Sequence, residues 1–510
     1  MRALPAFGLA ACALLAGAQA GSGAPVQVGF AYGVAAGEVT ASSALLWTRA
    51  PRAGAVTLEL LDSAGARVAA AIRPRRLVAG PAADLTVQAT VGRLRPGTRY
   101  RYRFRQGGAV SATGTFETAP AATASVPVRF AISGDADATP RADGTLAFNR
   151  FGVYARMAAE GNDFNVNLGD TIYSDSAVGG APVARTVAAK WAKYRLGLAL
   201  PALRRLRAAT GLYSHWDDHE FVNDFSRPEH GEAIYRAGVK AFRDYAPVAY
   251  SSRLGLYRSV RWGRHLELFF LDERSFRDAK ATAACAGDLA PTLPQPVRDA
   301  FATLAPGLRT PPSAACLAAV SDPARTLLGA AQYAVFTRAV AGSTATWKVI
   351  VNEVPIQQYY ALPYDRWEGY AVERERLLRF LQARVRNVVF LTTDTHANLV
   401  NEVRYRTVGG PLEGTGIWEV VTGPVATNTF AKEIDRFLGT PGAGTAIGSL
   451  FFKPPPPQGL GMRCAALDVY SYAQVTVTAR TLTVALRDAR GRPVREATGE
   501  PCAPLVLRAR

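Results

Sequence analysis

Apolar and polar positions follow two textures along this chain. Between about Val26 and Pro120, short strand-like runs recur at Ser43–Thr48, Val56–Leu61, Leu85–Val91 and Arg99–Arg105, separated by turns that carry Gly or Pro. The segment Leu94-Arg95-Pro96-Gly97-Thr98-Arg99-Tyr100-Arg101-Tyr102 is a turn followed by alternating aromatic and charged positions, the pattern of a half-buried strand. An all-β sandwich of fibronectin or immunoglobulin type over residues 24–120 is expected. The Ala, Thr, Ser and Pro of Ala119–Val126 make a plausible linker.

Beyond the linker the runs lengthen. Val128–Ile132, Asp163–Leu168, Gly211–His215, Leu266–Leu271, Trp347–Val351, Asn387–Leu391 and Trp418–Val421 read as buried strands. Helical periodicity marks Leu146–Ala159, Tyr235–Tyr245, Leu328–Ala339 and Glu373–Ala383. Strands alternating with helices predict an α/β catalytic domain over residues 127–510 with large central sheets. The tail reads as two strands, Tyr472–Thr478 and Leu482–Arg487, before a turn at Gly491. The proline run Pro454–Pro457 places a loop or lid over Phe451–Gly459.

Composition changes this picture only at the edges. With 510 residues and 49% hydrophobic content, the chain can fill a large core and hold more than one structural unit. The net charge of +18 is scattered, with no run of five Lys or Arg, so it argues against specific nucleic-acid recognition. It leaves a field that would draw anionic substrates inward. Arg2, the apolar stretch Ala3–Gly17 and the small-x-small site Ala18-Gln19-Ala20 predict a signal peptide over residues 1–20. A competing reading takes Leu9-Ala10-Ala11-Cys12 as a lipobox with a lipidated Cys12. No later run approaches a membrane span, and a secreted or periplasmic protein is expected. Four cysteines then remain, allowing three connectivities; proximity along the chain suggests Cys285–Cys316 and Cys464–Cys502.

The chemistry lies where the strands end. Val128–Ile132 runs into Asp135 and Asp137, Asp163–Leu168 into Gly169-Asp170-Thr171-Ile172-Tyr173, and Gly211–His215 into Trp216-Asp217-Asp218-His219-Glu220. Trp347–Val351 runs into Asn352, and Asn387–Leu391 into Asp394 and His396. A single Asp after a strand is usually a turn former, and Asp137 could be only that. Five polar clusters in succession at strand ends, where α/β folds bind ligands, point to a site. Asp135, Asp137, Asp170, Asp218 and Asp394 could not gather without counter-ions. Two cations would remove that repulsion and supply what phosphoester hydrolysis requires.

The order D-x-D, GDxxY, DDHE, N, DxH resembles the metallophosphoesterase superfamily, and specifically the alkaline phosphatase D (PhoD-like) family. Gly33–Thr40 with Leu45–Arg49, Phe270–Arg274, Leu328–Gln332 and Asp365–Tyr370 resemble that family's recurrent segments. The resemblance implies a four-layer α/β/β/α sandwich and a metal-dependent phosphoric ester hydrolase. It implies that Asp170 bridges two metals, that Asp135, Tyr173 and His396 complete the first site, and that Asp137, Asp218, Asn352 and Asp394 surround the second. His219 would contact phosphate or protonate the leaving group, and Arg274 would clamp phosphate oxygens. By family the metals are iron and calcium. This chain carries Asp135 where the family commonly has Cys, which widens the choice to manganese or zinc. It also lacks the family's twin-arginine signal.

The remaining polar residues read more plainly. His215 packs, Asp217 and Glu220 support His219, and His230 and His265 are surface or core histidines. Trp367 and Tyr370 pack or line the pocket. The substrate is a small phosphate ester, mono- or diester, with a phospholipase D-like or wall-polymer phosphodiesterase as an alternative on the same scaffold. A secreted binding protein with a decayed site is the reading from another class, and the intact aspartates oppose it.

Overall fold

The computed structural model describes residues 29–303, 305–408 and 412–510. The signal-peptide and lipobox readings, with Cys12, lie outside the described residues.

Two large sheets stack face to face. The first runs Leu505–Arg508, Thr481–Asp488, Ser471–Val477, Val128–Ser133, Phe164–Leu168, Gly211–His215, Val34–Gly37, Ser43–Arg49, Thr86–Gly92, Ala71–Arg73. The second runs Arg258–Trp262, Leu266–Phe270, Trp347–Asn352, Val388–Thr392, Glu413–Val421, Asn398–Arg406, Cys464–Ala466. The central strands of each are parallel to one another. Every residue of Phe164–Leu168, Gly211–His215 and Val388–Thr392 is buried; Val388–Thr392 accordingly reads as an apolar run, while the other two carry Asn165, Asn167, Ser214 and His215 inside.

Alternation along the strands builds the layers. Phe130, Ile132, Val349, Val351 and Leu391 meet in the core between the sheets. Ala131 faces the other way, into a layer with Tyr154 and Met157, Leu206, and Phe242 from the helices Gly152–Ala159, Pro201–Ala209 and Glu232–Tyr245. On the far side Ile350 and Phe390 pack with Leu377 and Leu381 of the helix Ala371–Arg384. The result is the expected α/β/β/α sandwich.

The N-terminal β-rich segment is joined to it. Val34–Gly37 pairs in parallel with Gly211–His215 through Ala36 and Gly211, so its first sheet continues the first large sheet. A smaller sheet of Leu77–Ala79, Gly54–Leu61, Arg99–Gln106 and Ala109–Val110, with Gly114–Glu117 beside Arg99–Gln106, faces it.

Local chemistry moves several boundaries. The helix expected over Leu146–Ala159 begins at Gly152, because Asn149 accepts the Phe151 N–H at 2.7 Å and Phe151 turns to φ 58°. Val187–Ala199, capped by Thr186, and Pro201–Ala209, opened by proline, are additional helices. Both suggested disulfides are present, with Cα separations of 4.4 Å for Cys285–Cys316 and 5.3 Å for Cys464–Cys502. Among the described residues no helix is long and apolar enough to cross a membrane.

Candidate metal centre

Because the central strands are parallel, their C-terminal ends open on one edge, and the loops that leave them converge. Thr393 donates to Leu168 O at 2.8 Å, the Asp394 N–H to Asp135 Oδ1 at 3.3 Å, and the Val425 N–H to Gly134 O at 3.0 Å. These bonds sew the two sheets together at the site. Close approach demands glycine at two places. A Cβ at Gly169, φ 74°, would lie 2.6 Å from the Asp217 Cβ, and one at Gly423, φ 112°, 2.5 Å from an Asp135 carboxylate oxygen. Asp135, Asp170, Asp394 and His396 themselves sit in the left-handed backbone region at φ 61°, 46°, 65° and 53°, a cost that recurs where side chains are aimed for function.

Four overlapping groups form, each with ligand atoms within 4.8 Å of one another: Asp135, Asp170 and His396; Asp170, Asp218 and His219; Asp217, Asp218 and Asp394; and Asp218, Asp224 and Asp365. Tyr173 Oη lies 3.0 Å from His396 Nε2, and the Tyr173 ring packs on the His219 ring at 4.1 Å between centroids. The cleft above them is about 490 Å³, lined by Tyr173, Asp175, Asp218, His219, Asp394 and His396 among others.

Electrostatics state the problem these groups pose. Burial pushes Asp135 and Asp217 up to about 7, with Asp218 adding repulsion to both. Asp170 and Asp394 are raised well above the ordinary range by burial and neighbouring carboxylates, and Tyr173 is raised for the same reasons. Burial disfavours the charged imidazoles, yet carboxylates outweigh it: Asp218 and Asp175 hold His219 up to about 10, and Glu433 with Asp135 hold His396 up to about 9. One oxygen of Asp135 and one of Asp217 are buried without a hydrogen-bond partner. An orphaned buried oxygen is costly, and a cation is the partner that this oxygen-rich set fits.

Four expectations change. Asp137 is drawn into a turn: its Oδ1 accepts the Thr139 N–H at 2.8 Å and its other oxygen accepts from Ser176. The Asn352 amide donates to Val354 O, and its oxygen accepts from Trp367 Nε1 at 3.2 Å. Arg274 is not a phosphate clamp. Its guanidinium is fully buried and paired to Asp217 at 2.5 Å, Asp365 at 2.7 Å and Asp394 at 3.4 Å. Asp217 thus binds Arg274, and Glu220 receives the N–H groups of Asp217 and Thr171; neither contacts the His219 ring through these bonds. The ring's partner is Asp175, at 2.6 Å from Nδ1. Glu433 stands 2.9 Å from His396 Nδ1. Asp175 lies two positions past Tyr173 in the GDxxY segment, a signal that could have found it. Glu433 has none.

The other residues pack. His215 is fully buried and held neutral, pushed down to about 3 mainly by burial. His265 bridges Ser125 and Thr346, at 2.7 and 2.9 Å, and His230 turns back on Ser226. Trp367 and Tyr370 are buried among apolar side chains and do not line the cleft.

A sequence profile described as PhoD-like phosphatase matches residues 144–447, and one for the N-terminal domain of that family matches residues 16–120. The chain belongs to the PhoD-like phosphatase family. Asp170, Tyr173, Asp218, His219, Asp394 and His396 fall inside the longer match, whereas Asp135 and Asp137 precede it. A curated relative, alkaline phosphatase D of Bacillus subtilis (strain 168), is 27% identical over 416 residues, covering 72% of this chain and 64% of that protein's own length. A solved structure of PhoD superposes with a TM-score of 0.70 at 21% identity, covering 96% of this chain and 90% of the other. A purple acid phosphatase from yellow lupin (Lupinus luteus) seeds gives 0.56 at 13% identity, with 94% and 74% covered. At these identities the two structures speak for the fold.

Proposed function

We propose that this PhoD-like protein is an exported phosphoesterase that hydrolyses phosphomonoesters or phosphodiesters at a site holding two metal ions. The observation that carries this reading is the chain of ligand groups that share Asp170 and then Asp218, with an unpartnered Asp135 oxygen at one end. Asp135, Asp170 and His396, with Tyr173 beside them, would hold one ion; Asp218 and Asp394, with Asp217 close, would hold the other. Asp170 lies between the two sets. Iron and calcium follow from the family, and the Asp135 carboxylate suits manganese or zinc as well. When bound, such ions acidify a water and offset the charge of the attacked phosphate.

The chain's own groups do the rest. Asp218, Asp394 and Asp175 line the cleft, so an anionic ester enters only once the cations outweigh these carboxylates. His219 stands at the cleft with Nδ1 fixed by Asp175, which leaves Nε2 to give a proton to the departing alkoxide. Arg274 holds Asp217 and Asp394 in place from beneath and takes no part at the substrate. Two disulfides fit an oxidising compartment, which supports export.

Asp170→Asn tests the reading, since it would remove a charge shared by two cations. Hydrolysis of both a mono- and a diester should fall by at least about 10³-fold, and elemental analysis should show most of the metal gone. Full metal occupancy in that variant would refute the shared role.

A further inference from the structure

Beside the acid-lined cleft lies a second cavity, of about 160 Å³, and the two share Leu362, Arg366 and Phe430. Its walls are apolar: Leu293 and Phe301 from the disulfide-stapled insertion, Ile434 and Phe437 from the helix Phe430–Leu438, and Phe451 below. Of the segment expected as a lid, Phe451 and Phe452 are buried in this wall. Phe437 is 59% exposed and Leu362 47%, an unusual concentration of exposed apolar surface beside a polar site.

One helix ties the two cavities together. Its first residue, Phe430, donates its N–H to His396 O at 3.0 Å, and Glu433 reaches His396 Nδ1 at 2.9 Å. Phe430, Ile434, Phe437 and Leu438 fall at helical spacing and form the stripe that lines the second cavity. The opposite wall is braced. The Leu362 N–H donates to Leu289 O at 2.6 Å, and the fully buried Arg298 holds Asp288 at 2.9 Å and the carbonyls of Ala290 and Thr310. A cavity held open in this way binds without first having to be ordered.

We propose that this cavity receives the alcohol side of the substrate and selects phosphoesters whose esterified group is alkyl or aryl over those of glycerol or sugars. The inference rests on the phosphoesterase reading for the placement of the phosphate, and on the shared residues for the placement of the tail. A polar alcohol would lose its water here and find few partners. The volume equals that of roughly five waters, enough for a phenyl ring or a chain of about that many carbons.

The test is calorimetric titration of the metal-loaded protein with non-hydrolysable n-alkylphosphonates of rising length, below micelle-forming concentration. Affinity should rise about threefold per methylene, near the limit for full burial, and level off after about five or six carbons. Phe437→Ser, at an exposed position where folding is not at stake, should flatten the series while leaving ethylphosphonate binding and hydrolysis of a methyl ester unchanged. A flat series in the native protein, or an equal slope in Phe437→Ser, overturns the proposal. Sedimentation with neutral phosphatidylcholine vesicles, lost in Phe437→Ser and accompanied by a flat series, would assign this face to a lipid surface and overturn it too. A preserved slope without turnover of any ester would support the apolar subsite and refute the phosphoesterase reading instead.

Discussion

His219 shows what a single residue owes to neighbours that are distant in sequence. Asp175 fixes its Nδ1 at 2.6 Å and Tyr173 packs against its ring, so the imidazole has one orientation. Removing the ring as His219→Ala should leave the metals bound and slow hydrolysis about 10²- to 10⁴-fold, more for alkyl esters than for nitrophenyl esters, whose leaving groups need little protonation. Asp175→Asn keeps a side chain of the same shape and should cost about 10- to 100-fold, with the same preference for alkyl esters. Rate ratios on the two ester types, with metal content in parallel, decide between this role and a structural one. Equal slowing of both esters would reject the proton role. At this scale, the residues that converge at the cleft were legible where they sit in short motifs: Asp170, Tyr173, Asp218 and His396. Arg274 was misassigned, because nothing local says that Asp217, Asp365 and Asp394 surround its guanidinium. Glu433 was missed for the same reason.

Elements were legible where burial imposes a simple pattern. Val388–Thr392 is sandwiched on both faces and reads as an apolar run, and Val128–Ser133 does so but for the exposed Arg129. Val187–Ala199 went unread because Lys190, Trp191, Lys193 and Arg195 interrupt its stripe, although Lys190 is itself buried against Ser174 and Phe221 O at 2.7 Å each. Val34–Gly37 is four residues long; it pairs along its length with Ser43–Arg49, and its long-range pairing with Gly211–His215 joins that sheet to the larger one. The smaller sheet carries its own electrostatic brace. Glu59 on Gly54–Leu61 faces Arg103 and Arg105 on Arg99–Gln106, at 2.6 and 3.0 Å, with Arg67 at 2.6 Å. Hydrogen bonds from Arg103 and Arg105 pull Glu59 from 4.5 down to about 2. A depressed carboxyl stabilises the fold above its unfolded value and loses that contribution as pH falls through the folded one. Between about pH 5 and 2 the native protein should therefore lose slightly more stability than Glu59→Gln. The difference should be under about 1 kcal/mol, because the arginines reach solvent. Parallel acid-range melts measure it, and identical losses would show that the ladder contributes nothing.

Across the whole molecule, the two sheets meet at a layer of acids that the polypeptide alone does not neutralise. Asp135, Asp170, Asp217 and Asp394 are all raised by burial, Asp135 and Asp217 to about 7, against an ordinary value of 3.8. A carboxyl raised in the folded state binds a proton there that the unfolded chain has already released. In the metal-free protein the stability these carboxyls contribute should be fully present below about pH 4 and be lost as pH rises from about 4 to 7. Cations reverse this. They bind only the ionised carboxylates, so their contribution grows with pH, reaching about 2.7 kcal/mol when free metal stands at one hundred times Kd. Thermal melts of the protein as purified and after exhaustive chelation, at pH 5 and pH 7.5, compare the two. The gap between loaded and chelated Tm should widen at the higher pH, and the chelated protein alone should melt lower there. Refilling with manganese, iron, calcium or zinc should restore Tm in proportion to occupancy. A gap independent of pH, or no gap at all, would mean that these carboxylates fold without a cation and that the dinuclear reading is wrong.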